Sequence, residues 1–221
     1  MKRIKCVVSY DGTNFHGYQV QPNRRTVQHE IEKVLAKMHQ GKFIRIYSSG
    51  RTDTGVHARA QVFHFDTELN IPTENWQKAL NAQLPDDIFI HDVAYVASDF
   101  HARFSAKAKE YRYFIKKSDD MDVFHRNYRY IVKDDLDTER MKQACKVFEG
   151  THDFTAFSSA RSTVKGDKVR TLFSVRCVSE ENGWSLRLRG DGFLYHMVRI
   201  IAGIIVEAGR GKVTPEQIEA M

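Results

Sequence analysis

The chain has 221 residues, with 34 Lys and Arg against 28 Asp and Glu, a formal net charge of +6 and 42% hydrophobic residues; it can bury a core without staples, and its charge admits a polyanionic partner without proving one. The three cysteines, Cys6, Cys145 and Cys177, form no Cys-x-x-Cys or Cys/His spacing, which argues against a disulfide framework or a zinc site and fits a reducing cytoplasm. No run approaches the roughly 20 apolar residues of a membrane helix, and MKRIKCVVSYDG has too short an apolar stretch for a secretory signal.

In chain order, IKCVVSY (Ile4 to Tyr10) is rich in β-branched residues and runs into DGTN, predicting a strand and then a turn. From Thr26, TVQHEIEKVLAKMHQG sets Val27, Ile31, Val34, Leu35 and Met38 on one helical face and stops at Gly41. FIRIYSS and AQVFHFD read as strands, TENWQKALNAQL as a short helix ahead of Pro85, and DIFIHDVAYV as a closing strand. Residues 1–106 therefore read as a β-α-β-β-α-β half.

Residues 107–221 open with the strand KEYRYFIKK and the short run YRYIVK, then a helix from about Asp137 to Phe148 ended by Gly150. VRTLFSVRCVSE and WSLRLRG make an antiparallel pair turned by ENG, and FLYHMVRIIAGIIVEAG makes a buried helix. The order is β-α-β-β-α with one extra short strand. An α/β (α+β) chain of two ferredoxin-like (split βαβ) halves with adjoining antiparallel sheets follows, the second half lacking its last strand. In TPEQIEAM, Thr214 is an N-cap, Pro215 takes the first helical position and Gln217 completes a capping box. A helix of about two turns is marginal alone, so the pattern predicts a truncated chain; a complete but short protein is the alternative. No Pro/Ser-rich linker separates the halves, which are expected to pack against each other.

Basic residues gather as Arg24/Arg25, Arg51/Arg59, Arg103/Lys107/Lys109/Arg112, Lys165/Lys168/Arg170 and Arg187/Arg189, several beside Tyr or Phe, a mixture suited to phosphates and stacked bases. Asp53 stands in a loop bracketed by Gly50 and Gly55, where the backbone can approach a ligand closely. An Asx-turn, with Asp53 bonded to its own loop, is the structural alternative.

GRTDTGVHA around Asp53 resembles the signature of the tRNA pseudouridine synthase A family. The resemblance continues through YDGTNFHGYQVQPN, ALNAQLPDDI, FHARFSAKAKEYRYFI, GTHDFTAFSS and GDGFLYHMVRIIAGIIVEAGRG, in the family's order, and lacks only a closing strand. It implies the pseudouridine synthase fold and the isomerisation of uridine to pseudouridine at positions 38, 39 and 40 of the tRNA anticodon arm, by a homodimer needing no cofactor. It assigns Asp53 as the nucleophile or base, Arg199 as the guanidinium that orients it, and Tyr111 as the ring stacked on the target uracil. Arg51 would hold the flipped nucleotide open, and Arg59 would bind substrate. Phe15 and Gln19, in the turn after the first strand, would border the RNA groove.

Other readings stay open beside these. Arg199, set among Met197, Val198, Ile200 and Ile201, would need a partner if buried, or would snorkel to water; Arg51 could be a plain phosphate contact; Tyr113 reads as a buried strand tyrosine with its hydroxyl paired. His57, His64 and Asp66 raise the reading of a metal-dependent nuclease, but glycines and β-like neighbours argue against a shared helical face, so no metal is expected and His57 orders the loop. A non-catalytic RNA-binding module of the same fold is the remaining rival.

Overall fold

A computed structural model describes residues 1–119, 122–159 and 166–221. The chain divides into two compact units, Met1–Ala106 and Lys107–Met221. Among the described residues no helix is long and apolar enough to cross a membrane.

In the first unit β1 (Lys2–Tyr10), β2 (Tyr47–Ser48), β3 (Ala58–Thr67) and β4 (Ile88–Val96) form one antiparallel sheet in the order β2-β3-β1-β4. Strand alternation decides its faces: Ile4, Cys6, Val8 and Tyr10 of β1, Phe63 and Phe65 of β3, and Ile88 and Ile90 of β4 are buried. Helix α1 (Val27–Met38) starts where the Thr26 hydroxyl accepts from the His29 N–H, and brings Val27, Ile31, Val34 and Leu35 to that core. Helix α2 (Thr73–Asn81) adds Trp76 and Leu80. The expected β-α-β-β-α-β order is observed. The FIRIYSS strand is shorter than expected: Ile44 and Ile46 are buried, but the Ile46 N–H donates to the Glu32 carboxylate at 3.2 Å rather than to a neighbouring strand.

The second unit holds β5 (Lys109–Lys117), β6 (Tyr130–Val132), α3 (Thr138–Val147), β7 (Gly150–Asp153), β8 (Val169–Glu180), β9 (Gly183–Gly190), α4 (Met197–Gly209) and α5 (Pro215–Glu219). Its sheet runs β6-β5-β9-β8-β7. Three expectations need correction. The sheet is mixed, because β6 lies parallel to β5 over Ile115–Lys117; a connection of about a dozen residues is long enough for that return. Strand β7 was not foreseen, since all four of its residues are exposed and carry no apolar alternation. Helix α4 begins at Met197 rather than Phe193, because His196 takes a left-handed conformation at φ 62° and stops the turn from extending backward; of the preceding apolar run only Leu194 is buried. Met141, Ala144 and Cys145 of α3 and Ile201, Ala202 and Ile205 of α4 pack with Ile115, Leu186 and Leu188. The predicted capping box at Thr214 and Gln217 is present, and buried Ile218 anchors α5.

Candidate active site

Residues 49–57 leave β2 and enter β3, and hydrogen bonds from main chain and side chains hold them on two sides. On the β3 side the Ser49 N–H donates to Val62 O at 2.7 Å, and Gln61 Nε2 donates to Gly50 O at 2.6 Å. Opposite lies the turn after β1: the Tyr18 N–H donates to Thr52 O at 3.1 Å, the Gly55 N–H to Phe15 O at 3.4 Å, and the Tyr10 hydroxyl meets the Thr52 hydroxyl at 2.8 Å. His57 closes the arrangement, its Nδ1 lying 3.0 Å from the Gly12 N–H and 3.0 Å from an Asp11 carboxylate oxygen, so it does order the loop.

Within this clamp, residues 53–56 make a β-turn in which the Val56 N–H donates to Asp53 O at 3.1 Å, and Gly55 supplies the positive φ of 75° that a side chain would resist. Gly50 has no positive φ. The tightest approach of the two segments is at Gly12, where a Cβ would lie 2.1 Å from Val56 O, followed by Gly17, where it would lie 2.9 Å from Thr52 O. Sequence reasoning passed over both, although the signal was available: YDGTNFHG carries two glycines in one short turn.

Asp53 is half-buried on this turn, while Arg51 and Arg59 are exposed before and after it, and Gln19 is exposed on the facing turn. Phe15 is a correction. Its ring is 2% exposed, in the core, with the Arg25 guanidinium 4.1 Å above it, so it packs the turn from beneath rather than bordering a groove. Arg25 is also bound bidentately to Asp87 at 2.6 and 2.9 Å, and that carboxylate raises its pKa.

In the second unit Tyr111 is half-buried on β5, with Phe193 edge-on at 4.9 Å. Tyr113 shares its face, as the strand period requires; burial raises its pKa against the opposing effect of Arg199. Arg199 projects from the first turn of α4 on the exposed stripe, so of the two readings left open for it, it is the one turned toward water. With Tyr113, Tyr130, Glu207 and Arg210 it lines a cavity of about 100 Å³.

The three residues that raised a metal reading are otherwise engaged. Asp66 is gripped by Arg3 through two contacts of 2.8 Å, which lowers its pKa; His64 Nδ1 accepts the Ala102 N–H at 3.1 Å. Among the described residues no three His, Cys, Asp or Glu side chains are grouped to hold a metal ion. Of the expected basic clusters, Arg112 pairs with Glu110 at 2.7 Å, Lys168 donates to Ser158 at 3.0 Å, and Lys165 lies outside the described residues.

A profile described as tRNA pseudouridine synthase matches residues 6–105 and 144–221. The chain is 55% identical to a tRNA pseudouridine synthase A of Oceanobacillus iheyensis over 218 residues, 99% of this chain and 86% of that protein. It is 56% identical to the same-named protein of a Geobacillus species over 211 residues, 96% and 85% of the two chains. The corresponding figures for the protein of Bacillus subtilis are 51% over 220 residues, 99% and 89%.

Proposed function

Because this chain belongs to the tRNA pseudouridine synthase family, we propose that it isomerises uridine at positions 38, 39 and 40 of the tRNA anticodon arm, with Asp53 as the reacting carboxylate. The reaction breaks the N1 bond between uracil and ribose C1′, turns the base, and rejoins it through C5. No atom is gained or lost and no electron leaves the substrate, so the chemistry asks for a placed nucleophile or base rather than a carrier. The observation that supports this role is the clamped turn. Asp53 sits half-buried on a loop held by β3 and by the turn after β1, so little reorganisation is needed when a nucleoside arrives.

The other roles follow from the same reading. A uridine inside a stacked stem hides its reacting atoms, and extruding it costs a few kcal/mol. Arg51, exposed two residues before Asp53, would fill the vacated space, and Tyr111 would stack on the extruded uracil, a contact worth about 1–3 kcal/mol. Arg199 would hold the Asp53 carboxylate ionised and oriented; Arg59 and Gln19 would meet the RNA. A cytoplasmic homodimer is part of the proposal.

Purified chain incubated with unmodified tRNA, followed by mapping of pseudouridine, tests it. Product should appear at one or more of the three positions and survive EDTA. A yield indistinguishable from a no-enzyme control, from chain shown to be folded, would reject the reading.

A further inference from the structure

One cluster of rings has no part in the site above. Phe63 and Phe65 of β3 face the core at 0% exposure, so His64 between them points to the opposite face of the sheet. Residues 97–106 cross that face. They are pinned where Arg3 Nη1 donates to Ser98 O at 2.6 Å and Phe100 O at 2.8 Å, and where the Ala102 N–H donates to His64 Nδ1. The next turn is closed on itself: the Ser105 N–H donates to His101 O at 2.7 Å, the His101 N–H to the Ser105 hydroxyl at 3.0 Å, and the Arg103 N–H to His101 Nδ1 at 3.2 Å.

The rings then run from the sheet to water in continuous contact. Tyr47 stacks on His64 at 5.2 Å, His64 meets His101 at 4.8 Å, and His101 meets Phe104 at 4.4 Å. His64 is the buried base at 1% exposure, and the two ends of the ladder reach solvent, Tyr47 at 46% and Phe104 at 77%. The Arg103 guanidinium lies 5.8 Å from the Phe104 ring. Burial, with Arg3 and His101 beside it, lowers the His64 pKa to about 4, so the base of the ladder is uncharged at neutral pH. Asp66, a carboxylate of the same strand face, is already neutralised by Arg3.

A large apolar ring held out in solvent by a hydrogen-bonded turn has little freedom left to lose when something stacks on it. The guanidinium beside it supplies the charge that a phosphate would need. A second copy of this chain would bring the same positive excess, whereas RNA complements it.

We infer that Tyr47, His101 and Phe104, with Arg103, form a stacking platform for an unpaired nucleotide of the RNA substrate, separate from the Asp53 loop. The inference rests on the tRNA reading and adds a binding subsite to it. The full chain carrying Phe104→Ala should bind unmodified tRNA about five- to tenfold more weakly and raise KM to match, with kcat within about twofold of wild type; Phe104→Trp should restore affinity. Tyr47 and His101 remain to pack the turn, so circular dichroism and thermal unfolding of Phe104→Ala should match wild type. A 4-thiouridine-substituted tRNA should crosslink to the peptide holding residues 101–104. If wild type binds and modifies tRNA and Phe104→Ala equals it in affinity, the platform is wrong while the enzyme reading stands. A variant that instead shifts the sedimentation equilibrium toward monomer with unchanged tRNA affinity would assign the patch to contact between copies, and also overturn it. If wild type itself neither binds nor modifies tRNA, both readings fall together.

Discussion

The first strands of the two sheets, β1 and β5, begin the same split βαβ pattern and end in different environments. β1 is paired along its length by β3 and β4, and buries every second side chain from Ile4 to Tyr10. β5 is paired along its length by β9, and over Ile115–Lys117 by β6, and of its nine residues only Ile115 is buried. A strand fixed on both sides makes a scaffold, and what it positions is the neighbouring loop: the turn after β1 clamps Asp53. A strand with half-buried Tyr111 and Tyr113 offers its own side chains instead. The proposed roles use that contrast, placing the reacting acid on the held loop and the stacking ring on the strand.

The contrast is broken most severely by Gly12→Val. A Cβ 2.1 Å from Val56 O forces the turn and the Asp53 loop apart, which should lower unfolding stability by about 3 kcal/mol and abolish pseudouridine formation. Urea denaturation and product mapping read the two effects, and a variant of wild-type stability would show that the clamp is not needed.

A somewhat smaller effect comes from His64. Its pKa is lowered from 6.5 to about 4 in the folded chain, so between those values the unfolded chain binds the extra proton. Stability from this group is therefore complete above about pH 6.5 and is lost as pH falls toward 4, amounting to at most about 3 kcal/mol. The urea midpoint should fall between pH 7 and pH 5 in wild type and fall less in His64→Phe; equal falls would remove His64 as the cause.

Tyr111→Phe should have the smallest effect. The ring and its edge contact with Phe193 remain, so tRNA affinity should stay within about twofold of wild type. A total loss of affinity would contradict a stacking role.

Legibility followed local chemistry. Thr26 ahead of a 3.6-period apolar face marked the start of α1, which ends at Met38, short of the expected stop at Gly41, and the Thr214 capping box located α5. Elements set by tertiary context were harder: β7 is a fully exposed edge strand with no pattern, and a single left-handed residue, His196, decides where α4 starts. At the candidate site, the T-D-T-G string marked the loop that carries Asp53, and the turn that holds it was visible as YDGTNFHGYQ. What that turn does was not visible, because a glycine required by a neighbour's carbonyl looks the same in sequence as one required by its own φ. Phe15 was misplaced for a related reason: an aromatic residue in a polar turn reads as exposed until Arg25 is seen to cover it.

Asp53→Asn, assayed for both tRNA affinity and pseudouridine formation, bears most directly on the central claim. The amide keeps the shape of the side chain and removes its charge, so affinity should stay within about threefold while product formation falls by at least about 1,000-fold. Undiminished pseudouridine in the variant would contradict the assignment of Asp53 as the reacting group.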